Sequence, residues 1–367
     1  MSATEHATPA LAEAERLMTV CNSCRYCEGL CAVFPAMELR RSFADGDLNY
    51  LANLCHGCGA CYHDCQFSPP HDFMVNVPAT LATVRADSYA AYAWPPALRP
   101  LFERNGVAVA LAAVLGVAGF LIGFALWNDP GALFAAQRGP GAFYALMPHN
   151  AMALLFGAVF AYALLAMGMG MRAFWRDGGP VPPGGRAPLL QAVRDAATLR
   201  YLDGGGVGCY NKDDTPTDRR RPAHHLVAYG FMLCLAATSV ATLYHYAGRE
   251  APYPWWDVPV VLGTVGGVGM VAGAGGLLWA KHTRLPALAG ANRRGMDVAF
   301  VLMLLLVAVT GLAVLLLRHT GALGVVLAVH LGTVLALFLS MPYGKFVHGL
   351  YRFLALVRAA RERASLH

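Results

Sequence analysis

Six apolar runs leave this chain few ways to fold: Val107–Trp127, Ala151–Met171, Leu226–Ala247, Val258–Ala280, Val298–Leu317 and Gly324–Met341. Each is long enough to cross the roughly 30 Å hydrocarbon core of a bilayer as a helix. A helix satisfies its own backbone hydrogen bonds, which lipid cannot do, so a bundle of six spans is the expected architecture. The composition agrees, with 57% hydrophobic residues, 14% charged residues and a mean hydropathy of +0.45. Soluble globular chains rarely combine those values.

Basic residues orient the spans. The loops after spans one, three and five carry only Arg138, Arg249 and Arg318. Those after spans two and four hold Arg172, Arg176, Arg186, Arg194, Arg200, Lys212, Arg219–Arg221, Lys281, Arg284, Arg293 and Arg294, and the C-terminus is equally basic. The positive-inside rule then puts both termini and the loop 172–223 in the cytoplasm. The same pattern accounts for the net charge of +6 as membrane orientation, which argues against a nucleic-acid partner and for membrane lipid. The polar opening SATEHATPALAEAERLM lacks the apolar core of a secretory signal. Four segments follow: a cysteine-rich domain at 1–77, a linker with an interfacial stretch at 78–106 around Trp94-Pro95-Pro96, a membrane domain at 107–348 and a cytoplasmic tail at 349–367.

The cysteine-rich domain repeats one motif. CNSCRYCEGLC (Cys21, Cys24, Cys27, Cys31) and CHGCGACYHDC (Cys55, Cys58, Cys61, Cys65) have identical intervals. In a reducing cytoplasm such cysteines are ligands rather than disulfides. Zinc sites combine two separated C-x2-C pairs, and the third cysteine in each unit exceeds that need. Three thiolates at this step wrap an iron–sulfur cube. In two-cluster ferredoxins the fourth completes the other cluster, so that pattern assigns Cys21, Cys24, Cys27 and Cys65 to one [4Fe–4S] cluster and Cys55, Cys58, Cys61 and Cys31 to a second. Proline does not follow the fourth cysteine directly, and Ala36–Asn53 reads as helical, so a helical two-cluster domain is expected. Cys209 reads as a loop thiol, Cys234 as core, and the glycines of span four as a close helix contact. GGGVGCYNKDD (Gly204–Asp214) only superficially resembles a phosphate cradle, lacking the spacing and the preceding strand.

Histidines at membrane depth are costly and point to function. His330 and His348 fall on one face of a continuous span six, about 27 Å apart. Span three carries His224, His225 and His245; His224 lies nearer the face of His245 than His225 does, although a frayed end admits either. Because the spans are antiparallel, His224 or His225 is expected to meet His348, and His245 to meet His330. Two such pairs would suit b-type haems. His149 could substitute as a ligand, but its ordinary reading is interfacial, like that of His282 and His319.

CRYCEGLCAVFPAM, NYLANLCHGCGACYHDCQ, SVATLYHY and MPYGKFVHGLYR resemble the tricarballylate-utilisation protein B / citrate-utilisation protein B family over nearly the whole chain. The resemblance implies a multi-pass protein of the bacterial inner membrane that reoxidises an FAD-dependent dehydrogenase of the tricarballylate type. Electrons would pass through two [4Fe–4S] clusters and haem b to quinone. The last four spans are similar to the haem-binding gamma subunit of respiratory nitrate reductase, which supports His245, His330 and His348; the doubled His224–His225 departs from it and leaves one or two haems open. No acid/base or nucleophile constellation stands out, so substrate oxidation is expected on the partner. The rival reading is a membrane-anchored iron–sulfur sensor, or a structural anchor for a soluble dehydrogenase.

Overall fold

The computed structural model describes residues 6–129, 131–290 and 294–366; Arg293, counted above among the basic loop residues, lies outside them. The chain is mainly helical. Helix α1 (Pro9–Cys24) starts where the Thr8 hydroxyl accepts the Leu11 amide at 3.3 Å, with proline in the first turn. Its buried face is Leu11, Ala14, Leu17 and Met18, a helical spacing. It ends at Arg25, whose left-handed backbone (φ 57°) returns its amide to the Cys21 carbonyl. Helices α2 (Val33–Glu38), α3 (Asp45–Leu54), α4 (Ala60–His63) and α5 (Val77–Ala91) complete a small helical domain.

Residues 78–106 were expected to be a linker, but their first half is α5, packed on α1 and α3. Asn76 caps it by accepting the Ala79 amide, and Leu81, Val84 and Tyr89 enter the domain core. Its inward face also carries Arg85 and Ser88, and these polar residues hide the helix from a hydropathy reading. The linker character survives only in the turn at Trp94–Pro95 and the short 3-10 segment Pro96–Phe102.

Six helices among the described residues are long and apolar enough to cross a membrane: α6 (Asn105–Trp127), α7 (His149–Asp177), α9 (Arg220–Tyr246), α10 (Val258–Thr283), α11 (Arg294–Leu317) and α12 (Leu323–Ser340). Only 17% of the apolar window is buried within the protein in α6, α7 and α9. The remaining apolar surface is compatible with a multi-pass membrane protein, whose solvent at that depth is lipid. Close crossings hold the bundle. Gly230 and Gly266 face each other between α9 and α10, where a Cβ on either would lie 2.7 Å from the other's carbonyl oxygen. Between α6 and α12 a Cβ at Gly116 would lie 2.6 Å from the Gly332 carbonyl oxygen, and one at Gly332 would meet the backbone of Gly116 and Val117.

Span six is not continuous. Helix α12 stops at Ser340, a 3-10 turn covers Met341–Tyr343, Gly344 is extended, and α13 (Val347–Ala364) begins a separate helix. Pro342 and Gly344 break the repeat, so the expected 18-residue register between His330 and His348 does not exist. Helix α13 was expected as a tail. Instead it packs on α8 (Arg186–Ala197), α3 and α7, and its Glu362 accepts bonds from Arg40 (2.8 Å), Arg358 (2.9 Å) and Tyr50 (3.1 Å). The loop 172–223 contains the end of α7, helix α8, and a small antiparallel pair, β1 (Cys209–Tyr210) with β2 (Pro216–Thr217), in which Cys209 faces Thr217.

At Gly332 an added Cβ would lie 2.5 Å from the Val117 backbone, whereas at Gly123 it meets nothing within 4 Å. Gly332→Val is therefore expected to destabilise the bundle by about 1–3 kcal/mol, read as a lower melting temperature in detergent. Gly123→Ala should leave that temperature unchanged or slightly raised.

Candidate metal and cofactor sites

The eight motif cysteines gather as two sets of four. Cys21, Cys24, Cys27 and Cys65 line one pocket with Tyr26, Phe34 and Phe67. Burial, then Cys27, Cys65 and Cys24, push the Cys21 thiol up to about 12. Cys27 is likewise pushed up to about 12 by burial, Cys65 and Asp64. In the second set burial raises Cys61 well above the usual thiol range, with Cys31, Cys55 and Cys58 adding to it. Cys31 is raised by burial, and Cys55 and Cys58 again press on it. Cys58 reaches about 11, burial being opposed by the Ala60 amide.

Identical intervals do not give identical backbones. Cys21 and Cys24 occupy the last turn of α1. Cys55 caps α3, and Cys58 sits between Gly57 (φ +61°) and Gly59 (φ +92°), left-handed positions suited to glycine. Among the described residues no three Cys, His, Asp or Glu side chains converge tightly enough to grip a lone ion. The two sets fit a larger, positively charged group: these thiols resist ionisation alone, and a cation is what turns them into thiolates.

A neighbouring element was not foreseen. The loop Gly204–Tyr210 closes over the second set, where the Tyr210 amide donates to the Cys58 carbonyl at 2.9 Å and a Cβ at Gly204 would touch the Cys58 side chain at 3.7 Å. Cys209, read above as an ordinary loop thiol, is buried there beside Arg220 and influences Cys58. The glycine run marks close approach to another chain segment, and the sequence does not say which.

Arginines from four elements hold the turn between Cys55 and Cys58. Arg85 donates to the carbonyls of Cys55 (2.7 Å) and Ala52 (3.2 Å), and Arg352 to those of Cys55 (2.9 Å) and Asn53 (3.3 Å). Arg220 donates to His56 (3.3 Å) and Gly57 (3.2 Å), and Arg284 to Gly57 (3.2 Å) and Leu288 (2.8 Å). Two of these lie one helical turn from the predicted site histidines: Arg220 precedes His224 on α9, and Arg352 follows His348 on α13.

The rings of His224 and His348 approach to 6.0 Å between centroids at 72°. His348 shares its Nδ1 with the Lys345 carbonyl at 2.5 Å, so that nitrogen carries the proton and Nε2 is left as a ligand atom. Burial, then Lys345 and Arg352, hold the His348 imidazole well below its usual pKa and therefore neutral. Helix α9 packs extensively only on α10 among the described elements, so the two imidazoles face each other across a weakly packed seam. His225 turns away, with Nε2 at 3.1 Å from the Ala197 carbonyl at the end of α8.

At the opposite end of the bundle, His245 and His330 make no ring contact with each other among the described residues. His245 stacks on His149 at 3.6 Å and 21°, with Tyr144 edge-on to both. The Nδ1 atoms of His149 and His245 are buried without hydrogen-bond partners. His330 instead meets the Thr310 hydroxyl through Nδ1 at 3.0 Å, against Gly311 of α11. The break after α12 removes the register that linked His330 to His348. His149 escapes a sequence reading because its position at the start of a helix matches any interfacial histidine.

Both halves of this architecture match one family. The profile described as "Citrate utilization protein B" covers residues 100–367, and "Citrate utilization protein B Fer4-like domain" covers residues 14–91. The chain belongs to the citrate utilization protein B family. Citrate utilization protein B of Escherichia coli is 50% identical over 354 residues, which is 96% of this chain and 92% of that protein. No solved structure matches the chain.

For this family member the Fer4-like assignment and the two cysteine sets agree on an iron–sulfur-binding domain. Which thiol set depends on which backbone can be tested. A Cβ at Gly59 would lie 2.5 Å from Leu288 on a left-handed residue, whereas at Gly29 it meets nothing. Gly59→Ala is expected to remove roughly half of the bound iron and acid-labile sulfide, because it deforms the turn carrying Cys58 and Cys61. Gly29→Ala should retain the full content by the same colorimetric assay.

Proposed function

We propose that this chain is a membrane electron-transfer protein that reoxidises the reduced FAD of a partner dehydrogenase and delivers the electrons to quinone in a bacterial inner membrane. Bound by these residues, two [4Fe–4S] clusters and b-type haem would supply one-electron relay between a two-electron donor and a two-electron acceptor. The observation that carries the reading is the contact chain from Cys55 to His348. The Cys55 carbonyl accepts from Arg352, and Arg352 stands one turn from the imidazole that faces His224.

The protein's own groups are suited to this task. Cys21, Cys24, Cys27 and Cys65 present one thiol set near the surface, with Cys24 exposed, and Cys31, Cys55, Cys58 and Cys61 present the other beside the bundle. His224 and His348 offer an imidazole pair, of which His348 is held neutral and has its free nitrogen fixed by the Lys345 carbonyl. At the far end His149 and His245, stacked on each other with unsatisfied Nδ1 atoms, support a second imidazole site beside the expected His245 and His330. The basic loops lie at the end of the bundle that bears the cysteine domain, which supports a cytoplasmic position for that domain and both termini. The family name connects the donor to citrate utilization, so a flavoprotein acting on a small tricarboxylate, citrate or tricarballylate, is the partner of choice.

The test is a dithionite-reduced minus oxidised spectrum of the purified protein with a haemochrome count per chain. Haem bands are expected, and His224→Ala and His348→Ala should each remove one haem's share of the signal while His225→Ala leaves it in place. A featureless Soret region with intact iron–sulfur absorption would overturn the haem reading and favour the sensor or structural anchor.

A further inference from the structure

The two cysteine sets sit in unlike electrostatic surroundings. Around the set of Cys31, Cys55, Cys58 and Cys61, four guanidinium groups hydrogen-bond the ligand-bearing turn itself. Arg85 is buried, and burial first, then repulsion from neighbouring arginines, lowers Arg284 and Arg352 to about 10, still far above neutrality. Among the described residues none of the four forms an ion pair with a carboxylate. Nearby Asp297 is already shared by Lys281 and Lys345, each at 2.8 Å. Buried positive charge of this density calls for an anion.

Around Cys21, Cys24, Cys27 and Cys65 the balance is opposite. Asp64 presses on Cys27, and Arg25, the nearest cation in sequence, is exposed and bonds Asn22. Cys24 and Tyr26 face solvent.

We infer that Arg85, Arg220, Arg284 and Arg352 hold the iron–sulfur cluster of Cys31, Cys55, Cys58 and Cys61 at a higher reduction potential than the cluster of Cys21, Cys24, Cys27 and Cys65, which makes the exposed set the point of electron intake and the arginine-bound set the exit towards His348. This rests on the iron–sulfur reading given above. A four-thiolate cluster is a net anion that gains one further negative charge when reduced, and fixed cations favour that reduced form. Burial works the other way, since low dielectric disfavours the more charged state. Four guanidiniums within hydrogen-bond distance of the ligand turn outweigh it, because the same low dielectric strengthens their attraction. The transfer itself moves one electron: the first cluster is oxidised by one, the second is reduced by one, and no bond or proton changes place. Reduced flavin is the class of donor that re-reduces the first. The arginines are positioning residues, acting through the carbonyls of Ala52, Asn53 and Cys55–Gly57.

A potentiometric titration of the anaerobic full-length protein, followed by EPR, tests this. Two reduction steps are expected, and Cys24→Ala should abolish the signal that appears at the lower potential. Arg352→Gln and Arg85→Gln should each move the higher step downwards and leave the lower one in place, with Arg352→Lys close to wild type. The inference is overturned if Cys24→Ala removes the higher-potential signal, or if both glutamine variants keep full iron and sulfide with unmoved potentials. Should a glutamine variant lose its cluster, the order of the steps in wild type and Cys24→Ala still decides. Wild-type protein without iron and sulfide would instead overturn the iron–sulfur reading itself.

Discussion

Three backbone carbonyls, those of Cys55, His56 and Gly57, are the joint on which this structure turns. They accept hydrogen bonds from arginines on α5, α9 and α13 and from Arg284 just beyond α10. Charge-assisted bonds of this kind contribute about 1.5–3 kcal/mol each, and more where water cannot compete. The consequence is that the cysteine domain is not hung from the bundle by a flexible segment. It is clasped from four directions at the turn that presents its ligands, and Arg40 with Tyr50 adds a second clasp on Glu362 of α13.

Legibility in the sequence followed the length scale of the force responsible. The six spans were readable because lipid imposes one requirement over some twenty residues at a time, and the helices exceed the apolar windows only at their polar ends, as where α7 runs on to Asp177. The helical character of the cysteine domain and the use of span-four glycines for close contact with α9 were readable for similar local reasons. Helix α5 was not, because its inward face carries Arg85 and Ser88, whose partners lie on α3 and in the turn after it. Helix α13 was hidden the same way: Arg352 and Glu362 read as tail charge until Cys55 and Arg40 are brought to them by the fold.

The histidines show where periodicity misleads. A strict 3.6-residue repeat from His330 to His348 assumes an unbroken helix, and Met341-Pro342-Tyr343-Gly344 breaks it. The pairing of His224 with His348 nevertheless forms, since it depends only on both residues lying at the same end of the bundle. At the other end the outcome is set by Tyr144 and the entry of α7, which bring His149 onto His245, a tertiary contact with no sequence signature.

That break also changes what fixes the geometry of the proposed route. Were His348 the end of a membrane span, its distance from the cysteines would vary with the tilt of α12 in the bilayer. On α13 it belongs to the rigid unit that also contains Arg352, Arg358 and Glu362, all bonded to the cysteine domain or to the loop beside it. Its partner His224 is tied in through Arg220, one turn away, which grips the same three-residue turn. His348 is therefore referenced to the Cys55–Gly57 backbone, and His224, on the membrane helix α9, is linked to the same backbone at one end of that helix. Electron tunnelling falls steeply with distance, so for the proposed route the bonds from Arg352 and Arg220 to this one turn would fix the separation that matters most.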